Sequence, residues 1–412
     1  MKTLKSVLLV TFLVTGICAY AQNKVLNIHK NGAPVETIFL SEVDSIKFGV
    51  ISAGNGFSDA EIGKKKNFVE LGYPGAVGVV VEDSKLYGDL LMYHAYCGDY
   101  IVLLSRVYIA ADPASPHCIK VVDKTTLNAG PALNLGSISI SDIKMITSDY
   151  KGRCVAAIVK NDETEFFYWK NPTDAPKSIG KIGVKMAPFD DPSNNFQVAG
   201  DITGNAWITA LAPRGTKGEH YRIKVTNGQL ASNYSVFETG YPSNQFNQFQ
   251  MISPLDDSDK PNFVVGTTGE KWAAERPVFS TRMYIVSNAG ETLEEIPHYW
   301  NNTLVDAWWA NTGFALARPG GRSPVVSALP INGKTYITVT TGTSWWYAAA
   351  VLNSDLQSLA NEKLNLLDDT AASRGWSYGE WVDWYYNEDL KEAYLAIWFG
   401  RIGLYTFKLT CK

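Results

Sequence analysis

Two carboxylates stand among tryptophans near the end of the chain, in the run Trp376-Ser377-Tyr378-Gly379-Glu380-Trp381-Val382-Asp383-Trp384. Apolar surroundings raise a carboxyl pKa, because burial penalises the charged form. A protonated carboxyl facing an ionised one, roughly 5 to 9.5 Å away, is the equipment for cleaving a glycosidic bond. Glu380 and Asp383 are three positions apart, which puts them on opposite faces if the segment is a strand. With Asp306 they are the catalytic candidates of the chain, and the offset weighs against Glu380 and Asp383 acting as a pair. Structural ion pairs perturb carboxylates as well, so an enzyme is not the favoured reading.

A second constellation has the chemistry of binding. All twelve tryptophans except Trp169 and Trp207 lie from Trp272 onward. They include Trp300, Trp308 and Trp309 in His298-Tyr299-Trp300-Asn301-Asn302-Thr303-Leu304-Val305-Asp306-Ala307-Trp308-Trp309, and the pair Trp345-Trp346. Neighbouring residues on a strand point to opposite faces, so one ring of each pair can fill the core while the other faces outward. An exposed indole is a flat apolar platform that suits the C–H face of a sugar. Asn301, Asp306 and Arg318 stand near enough in sequence to serve its hydroxyls. Trp300, Asn301, Asp306, Trp308, Trp309, Arg318 and Trp345 are therefore the expected ligand-binding set, with carbohydrate the expected ligand. The plainer account is that these rings pack in the core, where large aromatics dominate burial.

Other chemistry finds less support. His29, His94, His117, His220 and His298 have no metal-ligand spacing, and no cysteine pair has a CxxC spacing. No nucleophile elbow, P-loop or dinucleotide fingerprint occurs. Asp256-Asp257-Ser258-Asp259 offers oxygen ligands for calcium but lacks the glycine and distal glutamate of an EF-hand loop. A solvated hairpin turn fits it better, and no cofactor is expected. A formal net charge of −4 removes the basic footprint that nucleic acid requires. Outside the N-terminus, Cys97, Cys118, Cys154 and Cys411 suffice for two disulfides, but buried free thiols are the favoured state.

The elements that must position these residues are strands. Polar turns at Gly98-Asp99, Lys151-Gly152, Gly204-Asn205, Asp259-Lys260, Asn332-Gly333 and Glu388-Asp389 each lead into a short apolar strand and then a more aromatic one. The turns recur at roughly 53 residues, near the 40 to 50 of propeller repeats, with one wider gap before Asn332. An all-β β-propeller of six blades over residues 67–412 is expected, with seven blades the alternative if 300–322 form another. The chain ends just after an aromatic strand, so the expected closing strand is Phe68–Leu71 or Val77–Val81. Only Leu356–Leu367 has the pattern of a short helix.

The N-terminus reads as an export signal. Lys2 and Lys5 precede an apolar run, Val7–Ile17, and Ala19-Tyr20-Ala21 offers a small-x-small cleavage site before Gln22. The run is shorter than the roughly 20 residues of a membrane span. Ile17 before Cys18 departs from a lipoprotein site. A signal peptide over 1–21, a leading β-hairpin segment over 22–50 and a glycine- and lysine-rich linker over 51–66 follow. The strand Val25–His29 followed by Leu40-Ser41-Glu42-Val43-Asp44-Ser45-Ile46-Lys47-Phe48 resembles a leading segment of secreted Bacteroidetes cell-envelope proteins. That resemblance covers about 25 residues. It implies export to the periplasm, cell surface or medium. The expected function is a cell-envelope binding or scaffold protein with a glycan or protein partner. The alternatives are a propeller glycoside hydrolase or lyase and a protein–protein interaction platform.

Overall fold

The computed structural model describes residues 25–30, 33–39, 57–66, 90–107, 117–184, 196–211, 219–238, 251–268, 272–273, 276–277, 281–296, 298–300, 303–305, 325–342, 347–352, 381–399 and 403–411. The chain divides into two units, 1–54 and 55–412. In the first, β1 (Val25–Lys30) and β2 (Ala33–Phe39) pair antiparallel, from Val25 opposite Phe39 to Lys30 opposite Ala33, as the leading segment led us to expect.

The second unit is an all-β propeller. Four sheets carry the four strands of a complete blade. One is β7 (Ile143–Ser148), β8 (Cys154–Lys160), β9 (Glu163–Trp169) and β10 (Lys177–Ile182). The next is β11 (Phe196–Gly200), β12 (Ala206–Leu211), β13 (Glu219–Thr226) and β14 (Gln229–Glu238). A third is β15 (Met251–Pro254), β16 (Phe263–Thr268), β19 (Thr281–Val286) and β20 (Thr292–Glu295). The fourth joins both ends of the unit: β26 (Trp381–Asn387), β27 (Glu392–Phe399), β28 (Gly403–Cys411) and β3 (Phe57–Lys66). Two sheets have three strands each among the described residues. They are β4 (Leu90–Cys97), β5 (Tyr100–Val107), β6 (His117–Asp123), and β23 (Val325–Ile331), β24 (Lys334–Gly342), β25 (Tyr347–Leu352). The expectation of six blades, with seven the alternative, is corrected: among the described residues only four sheets carry a complete blade. The sheets are unequal, and the stretch proposed as an extra blade contributes, among the described residues, only the two-stranded hairpin β21 (His298–Trp300) and β22 (Thr303–Val305).

The innermost strands touch in the order β4, β7, β11, β15, β23, β26 and back to β4, which closes the ring. Each innermost strand presents an edge that no neighbour in its own sheet covers. Side chains cover part of it. Ser148 Oγ accepts the Tyr96 N–H at 2.7 Å, and Ser253 Oγ accepts the Ala328 N–H at 3.0 Å. The tight turns between first and second strands gather at one end of the ring. There the Gly98 N–H donates to Gly152 O and the Tyr150 N–H to Gly200 O, both at 3.0 Å. Gly152 has φ +71°, and a Cβ on it would lie 2.9 Å from the Tyr385 ring, so this crossing requires glycine.

Closure corrects a second expectation. The outer partner of β28 is β3, from Leu404 opposite Lys66 to Leu409 opposite Ala60. Those residues lie in the expected linker; Phe68–Leu71 and Val77–Val81, the expected closing strands, lie outside the described residues, as do the signal segment and Leu356–Leu367. An outermost strand meets water along one edge, and lysines there discourage pairing with another chain. Lys64-Lys65-Lys66 is that kind of strand, read from sequence as a linker.

The large core runs through the sheets that contain β4, β7, β11 and β26, with Trp169, Trp381, Trp398 and Phe166 among its largest buried side chains. A smaller cluster of Phe237, Ile252, Phe263, Val265, Tyr284 and Val286 lies between β14 and the β15–β20 sheet. Cys97 and Cys154 are buried free thiols, and burial pushes the Cys97 thiol up to about 12.

Candidate functional site

Of the three carboxylates singled out from sequence, Asp383 is described; Glu380 and Asp306 lie outside the described residues. Asp383 is the third residue of β26 and is 2% exposed. Its side chain reaches past β4 to β7. Oδ2 accepts the Ser148 N–H at 2.5 Å and faces the Thr147 hydroxyl at 3.4 Å, while Oδ1 accepts its neighbour's Trp384 N–H at 2.9 Å. Burial raises its pKa to about 8, against the pull of these donors. The raised carboxyl expected from aromatic surroundings is therefore present. Its place among three innermost strands makes it a tie across the ring. With Ser148 bound in turn to Tyr96, it links β26, β7 and β4 in one hydrogen-bonded chain.

Two other polar side chains finish this centre. His94, fully buried on β4, donates from Nε2 to Ala396 O at 3.0 Å, and burial lowers its pKa to about 3, so it is neutral. The Trp381 indole N–H donates to His94 O at 3.1 Å, and the Tyr93 ring meets Trp381 edge-on at 4.7 Å. Asp149 at the end of β7 is buried and bridged by Arg153, which also reaches Asp201 at the next turn. These groups fix the ring, although the buried Nδ1 of His94 meets no donor among the described residues.

At the opposite end from the tight turns lie the long connections. Thr268 and Thr281 pair there, and between them β17 (Trp272–Ala273) and β18 (Arg276–Pro277) form a separate hairpin. β20 runs toward the same end and is followed by the hairpin β21–β22, in which Trp300 faces Thr303 across the tip. Gly342 and Tyr347, the strand residues flanking Trp345 and Trp346, pair at this end too. The topology thus brings Trp272, Trp300 and the strand ends beside Trp345 to one end of the ring. Asn301, Trp308, Trp309, Arg318 and Trp345 lie outside the described residues. Asp256–Asp259 form the turn before β16. Asp256 accepts the Ser258 N–H at 2.9 Å, and Asp259 pairs with Lys224, as expected of a solvated turn.

No family model matches the chain, and no curated protein matches it. Several solved structures are similar to it. A DUF4623 family protein from Bacteroides eggerthii is 13% identical, over 95% of this chain and 82% of that one, with a TM-score of 0.50. The fucose-recognising six-bladed lectin of Aleuria aurantia is 10% identical, over 78% and 94%, at 0.37. A subtype N10 neuraminidase-like protein from a little yellow-shouldered bat is 9% identical, over 87% and 99%, at 0.39. Likeness at such identities speaks of fold alone.

Proposed function

We propose that this chain is an exported cell-envelope propeller that binds carbohydrate at the end of the ring opposite its tight turns. One observation carries the reading: the accessory hairpins that stand outside the blade sheets each bring a tryptophan to that end, Trp272 on β17 and Trp300 on β21. Irregular insertions in repeat folds map to loops on one face, and such loops carry function more often than the strands beneath. The expected set is Trp300, Asn301, Asp306, Trp308, Trp309, Arg318 and Trp345. A binding role is favoured over hydrolysis because Asp383, the described catalytic candidate, is spent on holding the ring.

The test is a glycan array probed with protein exported by its own host, whose first residue should be Gln22. Trp300→Ala and Trp309→Ala should each weaken binding several-fold, since an aromatic contact is worth about 1 kcal/mol. An array on which the wild type binds nothing would sink the carbohydrate reading. An intact Met1 on the exported protein would sink the signal-peptide reading.

A further inference from the structure

The sheet β11–β14 has two unlike faces. One carries Val198, Ile208 and Ile223, which belong to the large core. On the other, Gln197, Thr209, Arg222 and Ser235 pair Cα to Cα in a single row across all four strands. This second face meets the small apolar cluster of the β15–β20 sheet: the Arg222 guanidinium lies 5.4 Å from the centre of the Phe263 ring and 4.3 Å from that of Trp207. Gln197, Thr209 and Arg222 are all more than nine-tenths buried.

Four donors in this row are buried and make no hydrogen bond among the described residues: Gln197 Nε2, Thr209 Oγ1, Arg222 Nε and Arg222 Nη2. A buried guanidinium without an acceptor is strongly destabilising, so the fold retains one only where something accepts from it. The carboxylate with the clearest pull on it, Asp259, is exposed and already paired with Lys224. The nature of the missing acceptor follows from counting. One water has two lone pairs. A carboxylate has about four acceptor sites and takes the Nε and Nη2 edge of an arginine side-on, through two parallel hydrogen bonds. Four donors from three adjacent strands, about 4.8 Å apart, match that demand. The row also stands close to the loop-bearing end. Gln197 is the second residue of β11, and Thr209 stands two residues before the end of β12, about 7 Å below the rim.

We propose that this row is a binding site for a carboxylate group, with Arg222 as its charged anchor, Thr209 and Gln197 as its flanking donors, and Trp207 and Phe263 as the walls that hold the guanidinium flat. The site is independent of the tryptophan hairpins.

The test is thermal unfolding of the full chain at constant ionic strength, with chloride replaced stepwise by acetate or by D-glucuronate, and with glucose as the neutral control. The expected result is a saturable rise in Tm with a carboxylate and none with glucose. A rise with acetate alone identifies a small free acid as the source of the group; a tighter effect with glucuronate identifies an acidic sugar. Thr209→Val keeps the shape and removes one donor. It should weaken the apparent affinity by about tenfold or more, the worth of a hydrogen bond to a charged group. Arg222→Lys, which loses the fork, should abolish the effect. Trp300→Ala should leave it intact, which separates this site from the glycan reading. A wild-type Tm indifferent to both carboxylates would overturn the proposal and leave buried water as the acceptor. So would a saturable effect that Thr209→Val and Arg222→Lys leave unchanged.

Discussion

Lys124 and Arg222 are two cations in one environment with opposite outcomes. The Lys124 side chain and the Arg222 residue are each 9% exposed. Both lie over aromatic rings, Lys124 at 4.3 Å from the centre of Tyr394 and Arg222 at 4.3 Å from that of Trp207. Burial opposes the charge on both. Around Lys124 the opposition is overcome: Asp99 and the Tyr385 hydroxyl, each at 2.8 Å, accept from its ammonium and hold its pKa above the ordinary lysine value. Around Arg222 it is not, and its pKa falls below the ordinary arginine value despite the pull of Asp259. The first cation joins the β4–β6 sheet to the β26–β28 sheet and needs nothing more. The second sits where the large core stops and the small cluster begins, with donors to spare. Saturation distinguishes a structural buried charge from a binding one; depth does not.

The comparison breaks most sharply at Lys124. Lys124→Met keeps the stem and removes the ammonium. It forfeits cation–π contacts with two rings and the hydrogen bonds to Asp99, the Tyr385 hydroxyl and, at 3.5 Å, Gly98 O, together about 3 kcal/mol. Asp99 is 84% exposed and returns to water, so no orphaned charge adds to the loss. Urea unfolding of the wild type and variant should show this drop in midpoint at constant slope. An unchanged midpoint would mean that the Lys124 cluster is ornament and that partner counting does not predict which buried cations stabilise.

How much of this was legible beforehand depends on whether the signal is local. The strands, their turns and the long gap before Asn332 are local patterns of apolar residues and turn formers, and they led to the propeller. Asp383 among tryptophans read correctly as a carboxyl with a raised pKa, because its neighbours in sequence are its neighbours in space. Its partner Ser148 could not be read, since the contact joins two innermost strands at residues 235 positions apart. β3 was missed for the opposite reason: as an outermost strand it has the lysine and glycine composition of a linker. The Arg222 row went unread although a trace of it exists. Gln197, Thr209, Arg222 and Ser235 recur at roughly 13 residues, one polar residue per strand at the same height. That period has meaning only once register is known, because a slip of one residue would turn each side chain to the apolar face.

Asp383 and His94 sharpen the comparison with charges that protons can cancel. Asp383 has neutral donors but no cation, and its folded pKa is about 8 against 3.8 ordinarily. The folded state therefore binds the extra proton between those values, and stability falls as pH rises across them. His94 has the reverse shift, about 3 against 6.5, so its contribution falls as pH drops below 6.5. Between about pH 4 and 6.5 the two slopes cancel, and between 6.5 and 8 only Asp383 of the two contributes, removing about 2 kcal/mol. Chemical denaturation at a series of pH values should give a plateau and then a decline, and Asp383→Asn should flatten the decline. A wild type equally stable at pH 6.5 and pH 8 would show that the Ser148 and Trp384 donors hold the carboxylate charged.

The smallest effect is the most diagnostic, because its sign differs from that at Lys124. Without a bound carboxylate, Arg222→Met removes a buried charge whose Nε and Nη2 have no acceptor among the described residues and puts an unbranched apolar side chain between Trp207 and Phe263. Removing an uncompensated charge in favour of an apolar side chain of similar length is neutral or stabilising, here by about 1 kcal/mol. The loss of the cation–π contacts with the two rings subtracts from that gain, which is why it stays small. The gain should shrink and then reverse as acetate is added, since only the wild type has the fork that binds it. The measurement is the difference in unfolding free energy between wild type and variant, in chloride and in acetate at matched ionic strength. A variant that loses as much stability as Lys124→Met in both salts would place Arg222 with Lys124 as a saturated structural cation, its acceptors supplied by water.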